Sequence, residues 1–141
     1  MSGVVMPAAM HWPALVTLGA IALMVVTALQ VGRARGRFKI AAPATTGHPE
    51  FERIYRVQMN TLENVVAFLP ALWLFALYVS APWSAAFGAL WLAGRVWYMQ
   101  AYTRAANKRG GGFTLAFFAL MALALGAASG IAHQLVAALG G

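Results

Sequence analysis

Residues 49–80 read PEFERIYRVQMNTLENVVAFLPALWLFALYVS. The stretch changes character midway. Residues 65–80 carry no charge, but sixteen residues fall short of the roughly 20 needed to cross about 30 Å of hydrocarbon. The polar half supplies the missing length. Pro49 followed by Glu50 suits the first turn of a helix, where a missing N–H is harmless and a carboxylate meets the positive end of the helix dipole. Taken as one helix, residues 50–80 would extend roughly 46 Å at 1.5 Å per residue. That is enough to cross a bilayer and protrude from it, with a kink expected at Pro70.

Three further apolar runs flank this one, at residues 9–31, 83–103 and 113–139. The first is too long for a signal-peptide core and its preceding MSGVVMPA lacks a basic segment, so it reads as a span. The third is interrupted by Arg95; the fourth is rich in Ala and Gly, which permits close helix contacts in lipid. Hydrophobic residues make up 62 % of the 141 and charged residues 9 %, against about 45–50 % and about 25 % in soluble domains. The composition excludes a disordered chain and an ordinary cytosolic domain. It predicts an all-α integral membrane protein, a single four-transmembrane-helix bundle over residues 1–141. The link between the second and third spans is a short turn at Ala81-Pro82, and the tract GRARGRFKIAAPATTGHPE between the first and second reads as loop.

The charges give the orientation. Arg33, Arg35, Arg37 and Lys39 lie in loop 32–49, and Arg104, Lys108 and Arg109 in loop 104–112. The other ends carry no Lys or Arg. The positive-inside rule then puts both basic loops in the cytoplasm and both termini outside; the Ala-rich chain fits a bacterial inner membrane. The net charge of +7 is a matter of topology and lipid headgroups, not nucleic acid. Cysteine and aspartate are absent, so thiolate metal sites and acidic pairs drawn from aspartate are excluded. His11, His48 and His133 are scattered without metal-ligand spacing, and no metal site is expected. Four serines without a suitable acid partner give no hydrolytic triad.

Polar residues at membrane depth are the candidates for function. On a helix at about 100° per residue, Arg53, Arg56, Asn60 and Glu63 fall within roughly an 80° stripe, and Gln58 nearly opposite. A helix polar on two sides needs protein or water on both, which four helices do not supply, so a second subunit is implied. In the third span Arg95, Tyr98 and Tyr102 share a face, and Arg109 joins it if the helix continues that far. Measured from the outer turn, Glu63 and Arg95 are roughly 25 Å and 20 Å deep. They are level enough to pair, either as a structural ion pair or as ligand contacts. Cationic forks, the Glu63 and Asn60 acceptors and two phenols would suit a small zwitterionic or polyanionic molecule at the cytoplasmic edge, with a lipophilic co-substrate arriving through the bilayer.

These residues carry a resemblance. PEFERIYRVQMNTLEN resembles the E-R-x-x-R-x-Q-x-N-x-x-E signature of the MAPEG family, the membrane-associated proteins in eicosanoid and glutathione metabolism. AGRVWYMQAYTRAANKR resembles the family's R-x-x-Y-x-x-x-Y segment with its following arginine, and PATTGHPEFER resembles its loop. The likeness runs from about residue 30 to residue 109. It implies a homotrimer of four-helix subunits that binds glutathione as co-substrate in a cleft between neighbours. Matched position by position, the glutathione contacts would be Arg35, Arg56, Gln58, Asn60, Glu63, Tyr98 and Tyr102, and Arg109 would stabilise the thiolate for attack on a lipophilic electrophile or a lipid hydroperoxide. Leukotriene-forming members carry an arginine at the position of Gly36 and a tyrosine at that of Asn64, which weakens any claim to the same lipid. The alternatives are a non-catalytic lipid- or glutathione-binding member, against which Arg56, Tyr98 and Arg109 speak, and a small exporter, against which the lack of a carboxylate in residues 9–31 speaks.

Overall fold

The computed structural model describes residues 3–141; Met1 and Ser2, the start of the segment preceding the first span, lie outside the described residues. Four long helices account for nearly all of it: α1 (His11–Phe38), α2 (Pro49–Tyr78), α3 (Ala81–Arg104) and α4 (Gly110–Gly140). A 3-10 turn at Ala8–Met10 leads into α1 and another at Ala106–Lys108 joins α3 to α4. With their flanking turns, α1, α2 and α4 are each long and apolar enough to cross a membrane. The expected third span is not among them. α3 has 24 residues, roughly 36 Å, but it carries Arg95, Gln100 and two tyrosines in its second half.

Three boundaries differ from the sequence expectation. The basic tract after residue 31 is not loop: α1 continues through Arg33, Arg35 and Arg37 and ends at a left-handed Lys39, φ 55°. Arginine is a good helix former, and cations at a helix C-terminus meet the negative end of the dipole. Ala81-Pro82 is not the turn but the first turn of α3. Ser80 caps it by accepting from the Trp83 N–H at 3.3 Å, and a proline there forfeits no helical bond. Gly110, Gly111 and Gly112 likewise belong to α4. At the start of α2 the expectation holds: Pro49 occupies the first turn, and His48 Nδ1 accepts from the Glu50 N–H at 3.2 Å. The helix runs unbroken through Pro70.

α3 is the central element and packs most extensively on α4. A Cβ on Gly94 would stand 2.7 Å from the Ala116 N, and one on Gly112 would meet the Tyr98 N and the Gly94 O. The two backbones touch because neither glycine has a side chain, the geometry favoured where helices meet in lipid. Elsewhere the core is aromatic. Phe68 of α2 and Trp91 of α3, both fully buried, stack at 3.8 Å between ring centroids. Ser84 donates to the Leu72 carbonyl at 2.6 Å, and Trp73 to Thr17 Oγ1 at 3.0 Å. The outside is apolar too, with Leu18, Val66, Leu77 and Leu125 exposed, as a lipid-facing surface requires.

Candidate functional site

The register of α3 fixes the first part of the site. Tyr98 and Tyr102, one turn apart, are buried and stack with ring centroids 5.5 Å apart. Arg95, one turn earlier, is fully buried, with its guanidinium carbon 4.3 Å from the Tyr98 ring centroid. Its two terminal nitrogens donate to Asn60 Oδ1 and Thr61 Oγ1, each at 2.9 Å. The expected pairing with Glu63 is absent: among the described residues the only ion pair joins Arg37 to Glu50, at 3.2 Å. Arg95 enters between Asn60 and Thr61, and Glu63 points roughly 110° away around α2. The buried charge is therefore met by two neutral oxygens and an aromatic face.

Arg109 reaches the same cluster by a different route from a continued helix. Ala105 is extended, φ −157° and ψ 130°, and ends α3. The 3-10 turn then carries the chain back, and Arg109 takes up the position just before α4. Its guanidinium carbon lies 5.7 Å from the Tyr102 ring centroid. The contact of Gly112 with the α3 backbone, three residues on, anchors this arrangement. Asn60, Tyr98, Arg109, Gly110 and Phe113 together line a cavity of about 240 Å³.

The remaining candidates divide. Arg56 and Glu63 lie on the exposed surface of α2. Gln58 lies on the α1 side and lines a different cavity, about 160 Å³, with Met24, Thr27, Ala28 and Leu62. Arg35 is half-buried and holds the α1–α2 connection: it donates to the Ala44 carbonyl at 2.7 Å and the Ile40 carbonyl at 3.3 Å, 5.2 Å from the Phe51 centroid. One chain thus gathers Asn60, Tyr98, Tyr102 and Arg109, with Arg95 behind them. It keeps Arg35 and Gln58 apart from that group. Of the two positions that set leukotriene-forming members apart, Asn64 donates to the Asn60 carbonyl at 3.2 Å, and Gly36 faces open space.

Sequence reasoning missed Thr61, Phe113 and the capping role of His48. Thr61 was findable, because an arginine crossing onto a helix at Asn60 can be shared by the next side chain. Phe113 was hidden by the assignment of its preceding glycines to loop.

Comparison with known proteins finds relatives over most of the chain. Residues 13–129 match the MAPEG family. An uncharacterized protein of Synechocystis sp. is 48 % identical over 88 % of this chain and 90 % of its own length. Human microsomal glutathione S-transferase 2 is 41 % identical over 76 % of this chain and 73 % of its own. Bovine leukotriene C4 synthase is 42 % identical over 67 % and 63 %, respectively.

Proposed function

Because the chain belongs to the MAPEG family, we propose that it is a membrane-embedded glutathione S-transferase, with glutathione peroxidase activity open to the same site. Its relatives' names tie them to glutathione conjugation and leukotriene C4 formation; the lipophilic acceptor of this chain is left general. The observation that carries the reading is the convergence of Asn60, Tyr98 and Arg109 on one cavity, with Tyr102 stacked behind.

The chemistry follows from charge. A free thiol of this type has a pKa of about 8.5, and lowering it by two units takes about 2.7 kcal/mol of preferential interaction with the anion. A guanidinium in a partly dry cleft supplies energy of that order. In our reading Arg109 holds the thiolate, and Tyr98 and Tyr102 wall it with phenols. Arg56 forks a glutathione carboxylate, and Glu63 with Asn60 receives the ammonium group. The sulfur lone pair forms a C–S bond as the electrophile's leaving group departs. With a hydroperoxide, sulfur takes the distal oxygen, the O–O bond breaks, and the alkoxide leaves as the alcohol after taking a proton. A second glutathione then converts the sulfenic acid to the disulfide and water.

Gln58 and Arg109 line different cavities of one chain, and Arg56 and Glu63 face outward. These placements support a homotrimer in which each site is shared by neighbours. The Lys/Arg bias of the sequence is what supports the rest of the reading: basic helix ends and site in the cytoplasm, both termini outside, in a bacterial inner membrane. Calorimetry of the detergent-purified protein with glutathione tests the ligand. Saturable binding that disappears in Arg56→Ala is expected; no heat from glutathione would overturn the proposal.

A further inference from the structure

A second cavity, wider than the one beside Arg109, uses none of the residues assigned to glutathione. It has a volume of about 540 Å³ and opens where the C-terminal ends of α1 and α3 meet the start of α2. Four arginines line it, from three helices: Arg33 and Arg37 of α1, Arg53 of α2 and Arg104 of α3. One carboxylate, Glu50, accompanies them and is already taken by Arg37 at 3.2 Å. Arg53 donates from Nε to the Thr103 carbonyl at 3.4 Å, which turns it toward α3. Arg33 and Arg104 have no carboxylate within 4.0 Å among the described residues.

The position is as telling as the charge. On α2, Glu50, Arg53 and Ile54 stand in the same sector of roughly 100° as the buried Val57 and Thr61. The cavity is therefore the mouth of the bundle itself, not one of the outward faces to which Arg56 and Glu63 belong. With Arg37 held by Glu50, three like charges, Arg33, Arg53 and Arg104, remain around one space, where they repel one another and cost stability unless a further anion sits among them. Topology needs basic residues at this end but does not need them convergent. A single carboxylate offers two oxygens to planar forks arriving from three helices. A phosphate group offers more, spread in three dimensions, which is the arrangement arginine clusters recognise. The walls between the arginines are apolar, from Ala34, Phe38 and Ile54.

We infer that this mouth is a binding site for a phosphate group, carried either by an anionic membrane lipid at the bilayer edge or by a small soluble phosphate. The site shares no residue with the glutathione cleft, so the two readings stand or fall separately.

The test is calorimetry on the full-length protein in uncharged detergent, at fixed ionic strength, with three probes. These are dihexanoyl phosphatidylglycerol, dihexanoyl phosphatidylcholine and inorganic phosphate. Phosphatidylglycerol binding well above phosphatidylcholine, with inorganic phosphate silent, assigns the site to lipid; saturable binding of inorganic phosphate assigns it to a soluble ligand. In either case Arg33→Gln with Arg104→Gln should weaken binding about ten-fold or more, whereas Lys108→Gln, basic but outside the cavity, should change it less than two-fold. Each single variant should weaken binding several-fold, and these carry the test where the double variant does not fold. Glutathione binding measured on the same preparations should be unchanged. The inference is overturned if neither anion binds better than phosphatidylcholine, or if Lys108→Gln costs as much as the arginine variants.

Discussion

Arg95 donates to Asn60 Oδ1 at 2.9 Å and thereby ties the middle of α3 to the polar face of α2. The same guanidinium bonds Thr61 and lies over Tyr98, so one buried cation fixes two residues that line the Arg109 cavity. Arg95→Met removes both hydrogen bonds and leaves Asn60 and Thr61 oxygens without a donor inside the bundle. A loss of about 1–3 kcal/mol is expected, read as a lower unfolding temperature in detergent, together with weaker glutathione binding as Asn60 loses its anchor. Arg95→Lys should recover part of the stability, since a point charge can serve one acceptor but not the fork. Wild-type stability in Arg95→Met would contradict this account of the cation.

The glycines separate into two kinds that behave oppositely. Gly112→Ala and Gly94→Ala place a Cβ against backbone across the α3–α4 seam. Forcing these helices apart should cost about 1–3 kcal/mol and shift Arg109, so activity should fall with stability. A Cβ at Gly36 meets nothing within 4 Å, and Gly36→Ala in the last turns of α1 should stabilise by about 0.5–1 kcal/mol through the loss of backbone freedom. Equal effects at positions 36 and 112 would mean that the seam is not where α4 is anchored.

These pairs show how much was legible in the chain. The spans at α1 and α4 follow from long apolar runs; that at α2 needs its polar half as well, and its Pro49 start follows from first-turn chemistry. The helical character of Gly110–Gly112 could not be read, because three successive glycines look like loop until a second backbone is known to need the space. The face shared by Arg95, Tyr98 and Tyr102 came from periodicity alone. The partner of Arg95 did not, because equal depth from the outer turn says nothing about rotation around α2. The continuation of α1 through Arg37 was obscured by Gly32 and Gly36, which break no helix when their neighbours are good formers.

If neighbours in a trimer share each site, as proposed, mixed assemblies give a quantitative prediction. Gln58→Ala and Arg109→Ala should each inactivate a homogeneous trimer. Co-expressed in equal amounts, a chain with intact Gln58 meets a neighbour with intact Arg109 in about a quarter of the interfaces of a cyclic trimer. Conjugation activity should therefore return to about that fraction. If both residues served the same site within one chain, no mixture would recover activity.

Orientation can be tested directly because the natural chain contains no cysteine. A cysteine at Asn107, in the turn before Arg109, should react with a membrane-impermeant maleimide only after the cells are opened. One at Gly141 should react from outside. The reverse pattern would place the Arg109 cavity on the outer side and remove the cytoplasmic pool of glutathione as its source.

In the proposed reading, Arg109 is the residue on which conjugation and mere binding part company. If its guanidinium stabilises the thiolate more than the thiol, Arg109→Ala raises the pKa of bound glutathione toward the free value of about 8.5. The sign follows from linkage: losing a cation that favours the anion moves deprotonation to higher pH. Below the wild-type pKa of the bound thiol, glutathione is protonated in either protein and affinity should change little. Above it, the variant should bind more weakly, and turnover at neutral pH should fall about 25-fold if the pKa rises by the full two units to about 8.5, as the thiolate fraction drops from about three quarters to about 3 %. Arg56→Ala should differ, since a carboxylate fork is ionised throughout this range and its loss weakens binding at every pH. The measurement is the ultraviolet absorbance of bound thiolate followed against pH for the wild type and both variants. An unchanged titration in Arg109→Ala would remove the thiolate role from this residue. Arg35 would then be the next candidate, although its fork already holds the Ile40 and Ala44 carbonyls and it would have to release them to reach sulfur.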